Sequence, residues 1–315
     1  MHIVVTGANG FIGTHLTRAL LGENSRLPPT RLTVIDLSLD RMADDDRLNK
    51  VVGSFADSEV LDAALIEPAD IVFHLASVPS GLSESNHALG MDVNIHGTIA
   101  LLDRLKEQSN VPAVVFASSI AVYGRPRVPE VGDDTLPTPN LSYGAEKVIG
   151  ETLVADYTRR QWIRGCSVRI PGIVARPPEP NGAVSIFFSD LIRSLSSGNK
   201  FTCPVSAGAK SWLMSVRCCV ENLVLAATMD HAERQVWTLP AMHISIAELV
   251  SEIDELFPDL EADELIEYAP DPWVEENFGS YPPLVCPLAE AAGFHHDGSP
   301  QQLVLNALEA LEVLS

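Results

Sequence analysis

The chain has 315 residues, 46% apolar and 20% charged, enough for a real core and too ordinary in composition for a disordered, collagenous or disulfide-stapled protein. Its 21 Lys and Arg stand against 42 Asp and Glu, a formal net charge of −21, and so acidic a surface repels phosphate backbones and anionic lipid, which argues against nucleic-acid and membrane partners. No apolar run approaches the roughly 18 residues of a spanning helix, MHIVVTG enters a strand without a basic leader, and the five cysteines (Cys166, Cys203, Cys218, Cys219, Cys286) lack metal-site spacing. The expectation is a cytoplasmic protein with reduced thiols and no metal site.

Short Val- and Ile-rich runs at 2–6, 31–36, 50–53, 70–76, 112–118 and 166–170 are apolar almost throughout, as strands covered on both faces must be. They predict six parallel strands. Between them, 11–21, 58–66, 86–108 and 142–160 carry helical spacing, for example Ile95, Ile99, Leu102 and Leu105. This alternation predicts an α/β fold over 1–170, a Rossmann-type doubly wound parallel sheet with right-handed crossovers. After Pro171, helices are predicted at 184–198, 217–229, 245–257 and 300–313, with short strands near 235–239 and 264–268. Residues 171–315 read as a smaller, mainly helical substrate lobe from which segments can return to the first domain.

Directly after the first strand, TGANGFIG sets Gly7, Gly10 and Gly13 in a series that opens a helix. Such glycines allow a tight turn, a close approach to a pyrophosphate and close packing of helix on sheet, while the helix N-terminus offers free N–H groups. Asn9, Phe11 and Ile12 lie between them and join the candidate cofactor set. Asp36 ends the second strand, where a carboxylate can accept both hydroxyls of an adenosine ribose, or serve as an ordinary helix cap. Asp57 follows the third strand and suits either the adenine or the cap of a helix starting at Ser58.

The fifth strand ends in FASSIAVYG, and Tyr143 and Lys147 stand four apart at the start of a later helix. Four apart means one face, so the ammonium can lie beneath the phenol and favour its ionised form. That makes Tyr143 a candidate base and Ser119 a candidate hydrogen-bond partner for the same substrate oxygen.

TGANGFIG, HLAS, VNIHGT, SSIAVYG and YGAEK, in this order over residues 1–170, resemble the extended short-chain dehydrogenase/reductase superfamily, the NAD-dependent epimerase/dehydratase group. The resemblance implies NAD as cofactor and Ser119, Tyr143 and Lys147 as the catalytic set, with Lys147 also binding the nicotinamide ribose. It implies that Leu75, Ala76 and Ser77 line the adenosine side of the cleft and that Pro171 and Gly172 flank the nicotinamide carboxamide. It also implies that Asn94 supports the site from its helix, a position equally readable as a local hydrogen-bonding residue. A homodimer pairing the helices at 86–108 and 142–160 is a further implication.

Nucleotide-sugar enzymes of that group usually carry a G-D-G turn and an R-D-F-I-H-V-x-D stretch in the second lobe, and here PVSAGAKSWLMSVRCCVENLVLAA stands instead. With RIPGIVARPPEPNGAVSIFFSDLIR before it, this lobe resembles D-erythronate dehydrogenases, apart from Leu213 and Met214, where more polar residues are expected. A small carboxylate needs a cation or several donors. Arg217 is the candidate cation, with Asn181 and Ser185 as neutral donors and Arg176 a weaker choice; each alone also reads as a surface residue or a cap. His74, inside an apolar strand, reads as a core histidine, and His295-His296-Asp297 as a solvated turn. The preferred reading is NAD-dependent oxidation of the 2-hydroxyl of a small sugar acid such as D-erythronate, with Tyr143 as base. A nucleotide-sugar epimerase or dehydratase, a threonine-type dehydrogenase and a non-catalytic NAD-sensing protein stand beside it.

Overall fold

The computed structural model describes residues 1–177, 186–231 and 234–312. In chain order it begins with β1 (His2–Thr6), α1 (Phe11–Leu21), β2 (Arg31–Asp36), β3 (Leu48–Val52), α2 (Ser58–Ala64) and β4 (Ile71–His74). There follow α3 (Ser80–Ser85), α4 (His87–Gly90), a π-helical stretch Met91–Gly97, α5 (Thr98–Lys106), β5 (Ala113–Ser119), β6 (Val131–Gly132), α6 (Ser142–Arg159) and β7 (Arg164–Ile170). Then come β8 (Gly172–Val174), α7 (Phe187–Ser196), β9 (Phe201–Cys203), β10 (Lys210–Ser215), α8 (Val216–Thr228) and β11 (Val236–Thr238). The chain closes with β12 (Met242–Ser245), α9 (Ile246–Leu256), α10 (Ala262–Leu265), β13 (Ile266–Tyr268), α11 (Pro272–Phe278), β14 (Leu284–Val285), α12 (Pro287–Ala291) and α13 (Pro300–Glu312).

Two compact units divide this chain, and neither is contiguous. The first takes Met1–Val122, Leu141–Arg169 and Val220–Trp237; the second takes Tyr123–Asn140, Ile170–Cys219 and the chain from Thr238 onward. In the first, a seven-stranded sheet runs β11-β7-β5-β4-β1-β2-β3. The strand order reverses between β1 and β4, so the crevice at their carboxyl ends is the place where such a sheet binds a ligand. Thr6 of β1 pairs in register with Ile35 and with His74, which brings the ends of three parallel strands level at that crevice. One sheet face is covered by Leu61 of α2, Leu101, Leu102 and Leu105 of α5, and Val154 of α6, packed on Val4, Val72, Val114 and Phe116.

The expected helix over 86–108 runs unbroken from His87 to Lys106 but changes to a π-helical winding over Met91–Gly97. The π-helical turn adds a residue and rotates the face that follows, so Thr98 and Leu101 are buried with Leu102 and Leu105 while Ile99 is half-buried. The run at 235–239 supplies the seventh strand of the large sheet.

The second unit has its own core, in which Phe187, Leu191 and Leu195 of α7 meet Ile246, Leu249 and Ile253 of α9 and Leu303 and Ala307 of α13. Helix α9 starts where it does because Ser245 and Glu248 form a reciprocal capping box. Besides its helices this unit carries three small sheets, β12-β10-β8, β13-β9 and β14-β6, most of whose strands are too short to show a period in the sequence. Among the described residues no helix is long and apolar enough to cross a membrane.

Candidate active site

The loop after β1 is shaped by what glycine permits. Gly7 has φ +72°, its N–H reaches Ile35 O at 2.9 Å, and a Cβ there would lie 2.6 Å from Ala76 N. The segment after β4 can therefore lie directly on the loop. A Cβ at Gly13 would strike the Gly7 carbonyl oxygen, which keeps α1 close to the turn. Gly10 caps α1 without a side-chain bond and no acidic residue stands in its first turn, so its leading N–H groups are open to an anion.

Asp36 lies beside this loop, its Oδ2 accepting from Asn9 N at 2.9 Å and its Oδ1 from Leu37 N at 2.7 Å. Burial pushes its carboxyl above the usual carboxylate range, against the pull of those N–H groups. Asn9 donates through Nδ2 to Asp40 Oδ1 at 2.7 Å, accepts from Arg41 N at 3.0 Å, and offers its carbonyl to the Arg41 guanidinium at 3.2 Å. Asn9 thus ties the Gly-rich loop to the segment after β2, a contact the glycine spacing could not reveal. Leu37 and Val52 are 75% and 63% exposed near Asp36, which pairs with Val52 in the sheet, and give this end of the crevice an apolar surface. Asp57 occupies the cap position of α2 but makes no capping bond, so its carboxylate is not spent on the helix.

The reacting groups come from β5 and α6. Lys147 is 3% exposed, its Nζ 5.3 Å from the Tyr143 ring centroid and 4.9 Å over the Phe116 ring. Among the described residues no hydrogen bond or ion pair reaches that ammonium, and none reaches the Tyr143 hydroxyl. A buried cation resting on two rings has its donors unspent. Ser119 ends β5, where its Oγ accepts from Ala121 N at 3.1 Å. Its neighbour Ser118 donates to Glu151 Oε1 at 2.5 Å, and Glu151 is gripped by Arg169 at 2.9 and 2.8 Å, a buried fork that fixes α6 against β5 and β7.

Behind these groups runs a polar chain. Asn94, in the π-helical stretch, accepts from Val78 N at 2.7 Å, and its Nδ2 donates to Val78 O at 3.1 Å and to Glu146 Oε2 at 2.6 Å. Its carbonyl accepts from Thr98 Oγ1 at 2.7 Å, and Thr98 Oγ1 lies 3.0 Å from His74 Nε2. With the Thr98 hydrogen spent on Asn94, His74 must donate through Nε2 and accept at Nδ1 from Thr6 Oγ1, 2.7 Å away. Thr6 Oγ1 in turn receives Ala76 N at 3.3 Å. Burial, helped by the charge of Lys147, pushes the His74 imidazole down to about 3, so it is a neutral core bridge.

The model of the "NAD dependent epimerase/dehydratase family" matches residues 3–235. The chain belongs to that family. It is 35% identical over 319 aligned residues, 98% of each chain, to a D-erythronate dehydrogenase of Cupriavidus necator, and 30% identical over 260, covering 81% and 82%, to one of Haemophilus influenzae. A solved nucleoside-diphosphate-sugar epimerase from Agrobacterium tumefaciens superposes with a TM-score of 0.90 at 28% identity, covering 98% of this chain and 94% of its own. The unspent ammonium of Lys147, the open N-terminus of α1 and the Asp36 carboxylate beside the Gly-rich loop fit the dinucleotide in the family's name.

Leu75, Ala76 and Ser77 are half-buried in the segment that lies on Gly7. Pro171 and Gly172 belong to the second unit, where Gly172 starts β8 and packs against Leu213. Arg217 does not have the surroundings expected of a carboxylate-binding cation. Its side chain is 57% exposed and its guanidinium reaches Glu309 at 3.2 Å, so solvent and a carboxylate of its own unit already occupy it. Arg176 is half-buried and donates to Ile173 O at 3.2 Å. Asn181 and Ser185 lie outside the described residues. Asp297 serves its own unit, accepting from Ser215 N, Ser215 Oγ and Asn306 Nδ2 at 2.9, 2.5 and 2.7 Å. Among the described residues no group of three or more His, Cys, Asp or Glu could hold a metal ion.

Proposed function

We propose that the chain oxidises the 2-hydroxyl of a small sugar acid such as D-erythronate to the 2-oxo acid, with Tyr143 as base. The observation that carries this reading is the buried Lys147 ammonium beside Tyr143, with no acceptor among the described residues. The Gly7–Gly13 loop and α1 would hold the diphosphate of NAD, Asp36 its adenosine ribose, and Lys147 its nicotinamide ribose. NAD, when bound, supplies the acceptor for the hydride of the carbinol carbon. Tyr143, with the Lys147 ammonium against its ring, takes the proton of the hydroxyl, and Ser119 hydrogen-bonds the same oxygen. The substrate class rests on the similarity, over 98% and 81% of this chain, to the two D-erythronate dehydrogenases. A cytoplasmic location and a homodimer belong to the same reading, the latter checked by light scattering of the purified protein.

The test is a screen of D-erythronate and its four-carbon relatives against UDP-sugars, following NADH absorbance. Oxidation of an aldonate is the expected result. Tight binding of a UDP-sugar with no oxidation of any aldonate would favour the epimerase reading, which the similarity to the Agrobacterium tumefaciens structure keeps in view.

A further inference from the structure

Glu146 stands on α6 between Tyr143 and Lys147 and is 2% exposed. Its two oxygens lie 2.7 Å from Ser83 Oγ, and Oε2 receives Asn94 Nδ2 at 2.6 Å. No ion pair reaches it among the described residues. Packing alone would be better served by a neutral side chain, because a carboxylate withdrawn from water against two neutral donors is costly. The α4 backbone closes on this pair, since a Cβ at Gly90 would collide with both Ser83 Oγ and Glu146 Oε1.

What a carboxylate provides here is that it only accepts. It admits the nitrogen side of the Asn94 amide and refuses the oxygen side. With Nδ2 turned toward Glu146, Asn94 Oδ1 is left to receive Val78 N–H, and the other Nδ2 hydrogen reaches Val78 O. Both backbone polar groups of Val78 are then held by one side chain. Val78 stands two residues beyond Ala76, whose backbone lies on Gly7. A glutamine at 146 could donate as well as accept, and would permit the flipped Asn94, which sets an N–H against the Val78 N–H.

We propose that Glu146 is a positioning residue that selects the Asn94 amide orientation and so locks the 75–78 segment beside the Gly-rich loop for the cofactor. The inference rests on the NAD site proposed above. Its test is the NAD dissociation constant of the full chain, by titration calorimetry, with KM and kcat measured in parallel. Glu146→Gln should weaken NAD roughly tenfold, the effect of one buried hydrogen bond, and the loss should fall in KM for NAD rather than in kcat. Asn94→Ala should do the same, and Glu146→Gln should add almost nothing in the Asn94→Ala background. Should Glu146→Gln not fold, Glu146→Met, which removes the acceptor oxygens while keeping the length of the side chain, takes its place in the same cycle. Equal NAD affinity in wild type and variant, or a full tenfold loss on top of Asn94→Ala, would overturn the proposal. A wild-type chain that binds no NAD would instead overturn the cofactor reading on which it rests.

Discussion

His74 offers a measurement in which sign and size both follow from the structure. Its ring is enclosed between Thr6 and Thr98, and burial with the nearby Lys147 charge takes it from an ordinary 6.5 down to about 3. Between those values the unfolded chain binds a proton that the folded chain refuses, so stability is present above pH 6.5 and is lost as pH falls toward 3. Each pH unit in that window costs about 1.4 kcal/mol, which makes about 2 kcal/mol between pH 7 and pH 5. His2 and His231 are also lowered by burial and act in the same direction, but they remain in a His74→Gln variant and cancel in the comparison. Urea unfolding of both proteins at pH 7 and pH 5 therefore isolates the one ring. The wild type should lose about 2 kcal/mol more than the variant. Equal losses would mean that His74 is protonated in the folded protein, and the chain from Asn94 to Ala76 would have to be drawn differently.

Tyr143→Phe should keep NAD affinity while turnover falls about 100-fold to 10,000-fold, the usual cost of a proton-transfer group; a variant within tenfold of wild type would point to another base. Asp36→Ala should raise the NADP-to-NAD ratio of kcat/KM, because it removes the carboxylate facing a 2′-phosphate and leaves the Arg41 guanidinium on the Asn9 carbonyl; an unchanged ratio refutes the ribose assignment. Arg217→Ala should change stability by less than about 0.5 kcal/mol and leave kcat/KM alone, as exposed ion pairs generally do. A large kinetic loss in that variant would return Arg217 to the substrate.

What could be read from the sequence was what short spacing encodes. The glycines at 7, 10 and 13, the apolar strands and the Tyr143–Lys147 pair are separated by a few residues, and each spacing has one structural meaning. The π-helical stretch within the 86–108 helix escaped because one extra residue in a turn leaves the apolar composition unchanged; only the structure, with Thr98 and Leu101 buried, reveals it. Glu146 carries no signal of its own in the sequence, because the groups that close on it, Ser83 and Asn94, stand 63 and 52 residues away. For Arg217 the converse holds: a need for positive charge singled it out in the sequence, and only the structure shows Glu309, 92 residues further on, 3.2 Å from its guanidinium.

The interleaving of the two units limits how this protein can be taken apart. The chain passes between them after residues 122, 140, 169, 219 and 237. A fragment ending near residue 170 would lack β11, the neighbour of β7, and would leave β7 as a bare sheet edge open to pairing with other chains. Because that last strand is made some 70 residues after β7, the large sheet cannot be completed during synthesis until two of the three segments of the second unit have been made, so folding depends on long-range closure. Domain exchange with a relative would accordingly have to swap five junctions at once, whereas a graft confined to one loop would leave the order of assembly intact.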